Sequence, residues 1–163
     1  MKQNNLLHLI IATGFGSGYF PIAPGTAGAV LATALWLGLS LFLTPVSLLI
    51  TTTFLIILFT FLGVWSSGVM ETIWGKDPSK VVVDEMVGVW IPLLVVNNGE
   101  AHYVYYALLA LLLFRLFDIF KPLGIRKMEM FKGGWGIMLD DILAGIYSLL
   151  GLLILYGVRC LIG

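Results

Sequence analysis

Apolar residues fill this chain in blocks long enough to approach a bilayer's thickness, and polar residues gather in the short breaks between them. Ala27 to Leu43 is the first block, closed by the turn residues Thr44-Pro45, and Ser47 to Val64 is the second. A third, Val83 to Val96, is short and opens beside two acids, Asp84 and Glu85. Tyr103 to Phe120 forms a fourth, stopped by Pro122, and Asp140 to Val158 a fifth. A membrane-spanning helix needs about 20 mainly apolar residues. The pattern therefore predicts an all-α, polytopic membrane bundle of about four or five short transmembrane helices, with residues 1–163 as one domain.

The breaks carry their own signals. Pro and Gly crowd residues 14–26, which predicts a loop, and no Asp, Glu, Lys or Arg lies between Lys2 and Glu71. Trp65 and Trp74 bracket a polar stretch at the depth of an aromatic belt. Asp77 before Pro78 reads as a helix N-cap with proline at the first helical position. A helix running on from there puts Lys80 and Asp84 on one face, four residues apart. Arg115, Asp118 and Lys121 share a face at the end of the fourth span. Residues 123–139 read as a basic, glycine-containing loop. Leu6 to Ala12 is apolar, but no small-residue cleavage site follows, so no cleaved signal peptide is expected.

Composition agrees with the pattern. The chain is 60% hydrophobic and 11% charged, with a mean hydropathy of +1.02, whereas a soluble domain averages about 25% charged residues. A formal net charge of zero gives no basis for nucleic-acid binding, and the lone Cys160 excludes an internal disulfide. With five spans, Lys2, Lys76, Lys80, Lys121, Arg126, Lys127 and Lys132 fall on one side and Arg159 on the other. The positive-inside rule places that basic side in the cytoplasm.

The candidate chemistry lies on the same side. Gly133-Gly134-Trp135-Gly136-Ile137-Met138-Leu139 delivers two adjacent carboxylates, Asp140 and Asp141, to the mouth of the last apolar run. Acids at a span edge are costly unless partnered, by a metal ion, by basic side chains or by both. Capping of the last helix is an alternative for one of them, and Arg115–Asp118 could be a purely structural pair. Asp84, Glu85, Asp118, Asp140 and Asp141 offer oxygen ligands with no His or Cys cluster, which suits a hard cation, Mg²⁺ first among them. Neighbours on a helix diverge by about 100°, so one member of each acidic pair is expected to ligate directly. The small-residue stripe Ala144, Ser148, Gly151 shares the face of Asp140 and makes that residue the first candidate. Lys80, Arg115 and Lys121 beside such a metal suit a phosphate group. Cys160 lies too late for a cysteine-phosphatase loop, two isolated histidines cannot make a phosphohistidine site, and no Asp-x-Asp is present. Metal-assisted attack by water or by a carboxylate remains.

Four separated blocks then resemble the phosphatidylglycerophosphatase A family. They are Gly16-Ser17-Gly18 with Pro21-Ile22-Ala23-Pro24-Gly25-Thr26-Ala27-Gly28; Lys76-Asp77-Pro78-Ser79-Lys80 with Asp84-Glu85 and Gly88; Arg115-Leu116-Phe117-Asp118 with Lys121-Pro122; and Gly133-Gly134 with Gly136-Ile137-Met138 and Asp140-Asp141 through Ala144-Gly145. The resemblance implies a Mg²⁺-dependent enzyme of the bacterial inner membrane that hydrolyses phosphatidylglycerophosphate to phosphatidylglycerol and inorganic phosphate. In that reading Asp84, Glu85, Asp140 and Asp141 hold Mg²⁺, and Asp118 is a further ligand or base. Lys80, Arg115 and Lys121 bind the phosphate, while the 14–28 loop, with Ser17, Gly25 and Thr26, meets the headgroup as a backbone nest. Two other classes compete: a small cation transporter, which needs acids spread through the bilayer depth, and a non-catalytic membrane scaffold.

Overall fold

The computed structural model describes residues 4–76, 78–122 and 124–162, with side chains from residue 5 to residue 158 apart from 129. Every regular element among them is helical: α1 (Asn4–Ala12), α2 (Pro24–Ser40), α3 (Pro45–Trp74), α4 (Val83–Leu93), α5 (Tyr103–Phe120) and α6 (Gly134–Ile162), with 3₁₀ turns at Ser17–Tyr19 and Ile125–Met130. Proline opens both α2 and α3 at the first turn, where its missing N–H costs nothing. Thr44 caps α3 by accepting from the Ser47 backbone N–H at 3.3 Å.

Among the described residues, three helices are long and apolar enough to cross a membrane: α3, α5 and residues 134–158 of α6, with α2 a shorter apolar helix. α4 has 11 residues, about 16 Å of helix, against a hydrocarbon core about 30 Å thick. The chain nevertheless passes from one end of the bundle to the other here. Beyond α4, the Asn98 side-chain amide donates to the Ser40 and Leu43 carbonyls at 2.9 and 2.8 Å, joining it to the α2–α3 turn. So α2 to α6 alternate in direction, as the five-block pattern predicts, with the third block mostly unexposed to lipid.

α4 is the axis of the molecule. Every residue from Val83 to Leu93 except Glu85 is buried, because α2, α3, α5 and α6 all pack around it. Trp90 spans the gap to α2 and donates its indole N–H to the Ala32 carbonyl at 3.0 Å, which leaves no polar atom of that ring unpaired in an apolar layer. α3 continues ten residues past the expected end at Val64, through Trp65 to Trp74, and α1 packs along this extension, with His8 edge-on to Trp65 at 4.1 Å.

Two expectations change. The N-cap expected at Asp77 lies outside the described residues; Ser79 and Lys80 form a turn and α4 begins only at Val83, so Lys80 and Asp84 share no helical face. α6 begins at Gly134, with no acid in its first turn. Asp140 and Asp141 therefore sit well inside the helix, beyond reach of its unpaired N–H groups, and the capping alternative falls away.

Candidate active site

Five segments meet at one end of the bundle around a cavity of about 300 Å³. The first turn of α4 contributes Asp84 and Glu85, the last turns of α5 contribute Arg115 and Asp118, and α6 contributes Asp140 and Asp141. Lys121 closes α5 in a left-handed conformation, φ 45°, which turns its side chain away from the helix axis and across to α6. The uncapped N-terminus of α2 (Ala23, Pro24 and Gly25) forms the fourth wall, and Pro78, Ser79 and Val81 the fifth.

Carboxylate oxygens of Asp84, Glu85 and Asp141 lie within 4.8 Å of one another. Asp84 Oδ1 accepts from the Glu85 backbone N–H at 3.1 Å. Arg115 donates from one guanidinium nitrogen to Asp118 Oδ2 at 2.5 Å and lies 4.0 Å from Glu85 Oε1. Lys121 Nζ donates to Asp140 Oδ2 at 2.6 Å. Glu85 Oε2 and Asp141 Oδ1 are buried without a hydrogen-bond partner. Among the described residues, five carboxylates thus face two basic side chains in this cavity. Buried like charges at such range need a cation between them or must take up protons. The oxygen donor set and the two unpartnered oxygens fit a hard divalent ion.

Gly25 makes the approach of α2 possible. A Cβ at this position would run into Glu85 Oε1 and come within 3.3 Å of the Arg115 guanidinium. Gly25→Ala should therefore displace the Glu85 carboxylate while leaving α2 helical. We expect turnover to fall toward about 10²-fold below wild type, the scale of an ångström misplacement, with an unchanged size-exclusion profile. Near-native turnover would remove Glu85 from the site's working geometry.

The structure gathers Asp84, Glu85, Arg115, Asp118, Lys121, Asp140, Asp141 and Gly25 in one place. Within the pair on α6, Asp141 joins the carboxylate triad, and Asp140 faces Lys121 on the flank toward Glu71, Lys76 and Gly136. Lys80 is elsewhere: it is exposed, with Nζ 5.3 Å from the Tyr19 ring and 5.7 Å from the Trp74 ring, a cation–π placement. Ser17 donates its hydroxyl to the Gly14 carbonyl at 2.9 Å, and neither it nor Thr26 lines the cavity. Ser79 does line it, a residue that the sequence pattern does not single out. Its only signal was membership of the block Lys76 to Lys80.

A family model for phosphatidylglycerophosphatase A matches residues 10–156. The chain belongs to the phosphatidylglycerophosphatase A family. It is a phosphatase, and all four blocks that carry the resemblance lie inside the matched region. An Escherichia coli phosphatidylglycerophosphatase A is 36% identical over 91% of this chain and 82% of its own length. Its Haemophilus influenzae counterpart is 38% identical over 90% and 86%. A Bacteroides thetaiotaomicron protein with the provisional name phosphatidylinositol-3-phosphatase is 57% identical over 91% of this chain and 92% of its own length. No solved structure matches the chain at a significant level.

Proposed function

We propose that this protein hydrolyses the terminal phosphate monoester of phosphatidylglycerophosphate, releasing phosphatidylglycerol and inorganic phosphate in bacterial phospholipid biosynthesis, with Mg²⁺ as cofactor. The observation that carries the reading is the triad of Asp84, Glu85 and Asp141 opposite Arg115 and Lys121, at a single end of a membrane bundle. Asp84, Glu85 and Asp141 would hold Mg²⁺, with Asp140 and Asp118 beside them. When bound, the ion would neutralise the phosphate's charge and make an attacking oxygen more nucleophilic.

The protein's own groups supply the rest. Arg115, steered by Asp118, presents a guanidinium to the phosphate oxygens, and Lys121 adds a second cation from the α6 side. The uncapped start of α2 turns its positive dipole end toward the same cavity. Hydrolysis joins a water oxygen to phosphorus, breaks the bond from phosphorus to the glycerol oxygen and returns a proton to that oxygen. A carboxylate of the cluster takes the proton from water.

Lys76, Lys80, Lys121, Arg126, Lys127 and Lys132 all lie on the loops at the cavity end. This supports a multi-pass protein of the bacterial inner membrane with its active site facing the cytoplasm. A lipid substrate can then keep its acyl chains in the bilayer while its phosphate enters the polar cavity. Asp84, Glu85, Asp118, Asp140 and Asp141 gather at one end of the bundle, which disfavours a transporter pathway through the bilayer depth.

The provisional name of the Bacteroides relative favours a second substrate, an inositol lipid 3-phosphate, which offers the same phosphate monoester on a bulkier headgroup. Purified protein assayed for phosphate release on both lipids decides between them. We expect kcat/KM at least about tenfold higher on phosphatidylglycerophosphate, a difference of ~1.4 kcal/mol in transition-state binding, with EDTA abolishing release and Mg²⁺ restoring it. The opposite preference would reassign the substrate, and EDTA-insensitive release would remove the metal.

A further inference from the structure

A second cavity, about 750 Å³, lies in the bundle's side between α2 and α3. Leu31, Ala34, Leu35, Gly38 and Leu39 form one wall, and Leu55 and Phe59 the other. Met86 and Trp90 of α4 make the floor. The groove presents no unpaired polar group from its two tryptophans: Trp90 Nε1 donates to the Ala32 carbonyl and Trp36 Nε1 to Thr52 Oγ1, both at 3.0 Å. Only an apolar occupant suits it. Leu35, Phe15 and Phe42 at its rim are exposed, so it opens sideways toward lipid.

Two helices tie this groove to the acidic cavity. α4 places Glu85 in the cavity and the next residue, Met86, in the groove. α2 places Gly25 in the cavity and Leu31 in the groove, about 9 Å further along the helix. The groove then follows α2 from Leu31 to Leu39, about 12 Å, most of the ~15 Å depth of one leaflet. Phe15 packs on Phe59 at 6.1 Å and Phe59 on Trp90 at 5.6 Å, so a continuous aromatic wall borders the slot.

We propose that this groove seats one acyl chain of the phospholipid whose phosphate occupies the acidic cavity, and so makes the enzyme sensitive to chain length; the proposal rests on the lipid-phosphatase reading above. Anchoring one chain along α2 fixes where the headgroup falls relative to Glu85 and Arg115. Chain packing in the slot gains only van der Waals contact over bulk lipid, because lipid tails are as apolar as the groove. Its effect is therefore on positioning and chain selection.

Gly38 provides the test. A Cβ there meets nothing within 4 Å and Gly38 lines the groove, so Gly38→Phe puts a ring where the far half of the groove is open, and Gly38→Leu is a milder version should the larger ring impair folding. We expect the KM for dipalmitoyl phosphatidylglycerophosphate to rise at least about tenfold, with the KM for the dihexanoyl lipid unchanged. In parallel, a phosphatidylglycerophosphate carrying a diazirine near the end of one acyl chain should label α2 and α3 peptides of wild-type protein in vesicles. Excess phosphatidylcholine should not displace that label. Equal KM changes for both chain lengths, or displacement by phosphatidylcholine as for any bulk lipid, would overturn the proposal. If wild-type protein releases no phosphate from either lipid, the phosphatase reading fails, and the labelling alone then decides the groove.

Discussion

Asp141→Asn is expected to lower phosphate release by at least about 10³-fold, the scale of losing a preorganised charge at a reacting centre. The substitution is isosteric, so the packing of α6 on α4 survives. What disappears is one of three carboxylates whose oxygens lie within 4.8 Å of one another, and one that, like Glu85, has a buried oxygen lacking any hydrogen bond. Asp84→Asn should behave alike, since it removes a second corner of the same triad. Asp140→Asn should cost less, about 10- to 100-fold, because its carboxylate pairs with Lys121 at 2.6 Å on the flank of the triad.

A thermal measurement separates this from a folding defect. Without divalent ions, removing one of several mutually repelling carboxylates should leave the melting temperature equal to or above that of wild type. Added Mg²⁺ should raise the wild-type melting temperature by mass action and leave Asp141→Asn unmoved. Turnover within tenfold of wild type in both Asp84→Asn and Asp141→Asn would sink the metal site.

The second large effect is expected far from any charge. Gly145 of α6 crosses α4 so closely that a Cβ would strike the Gly88 carbonyl and reach within 3.0 Å of Ile91. A backbone carbonyl cannot rotate aside like a side chain, so Gly145→Val must push α6 off α4. Overpacking of this kind costs about 1–3 kcal/mol, a fall in melting temperature of roughly 2–12 °C for a chain of this size. The same separation pulls Asp141 away from Asp84 and Glu85, so turnover should fall by about 10²-fold or more even in the protein that remains folded. Gly151→Ala is the contrast: the nearest atom to its added Cβ is 3.7 Å away, on Leu113. Similar losses in both would show that general helix packing, not the α4–α6 crossing, sets the site.

These two effects also mark how far the residues could be read without a fold. Membrane character, helical class and alternating direction follow from hydropathy and turn residues alone. A bilayer permits few ways to satisfy the backbone, and helix length is a local property. The gathering of Asp84, Glu85, Arg115, Asp118, Lys121 and the 140–141 pair at one end also follows locally, since each sits at the same end of its own apolar block.

Facing directions do not follow in that way. A stripe of small residues points to Asp140, yet Asp141 completes the triad, because α6 crosses α4 closely at Gly88 and Gly145 and turns Asp141 toward α4. Lys80 stands in the same block as Ser79, yet a turn in place of a helix sends it to Tyr19 and Trp74 while Ser79 meets the cavity. Adjacent helical residues differ by about 100° in azimuth. Which of two neighbours meets a distant carboxylate therefore depends on contacts between segments remote in the chain. Hydropathy, averaged over many residues, carries no record of them.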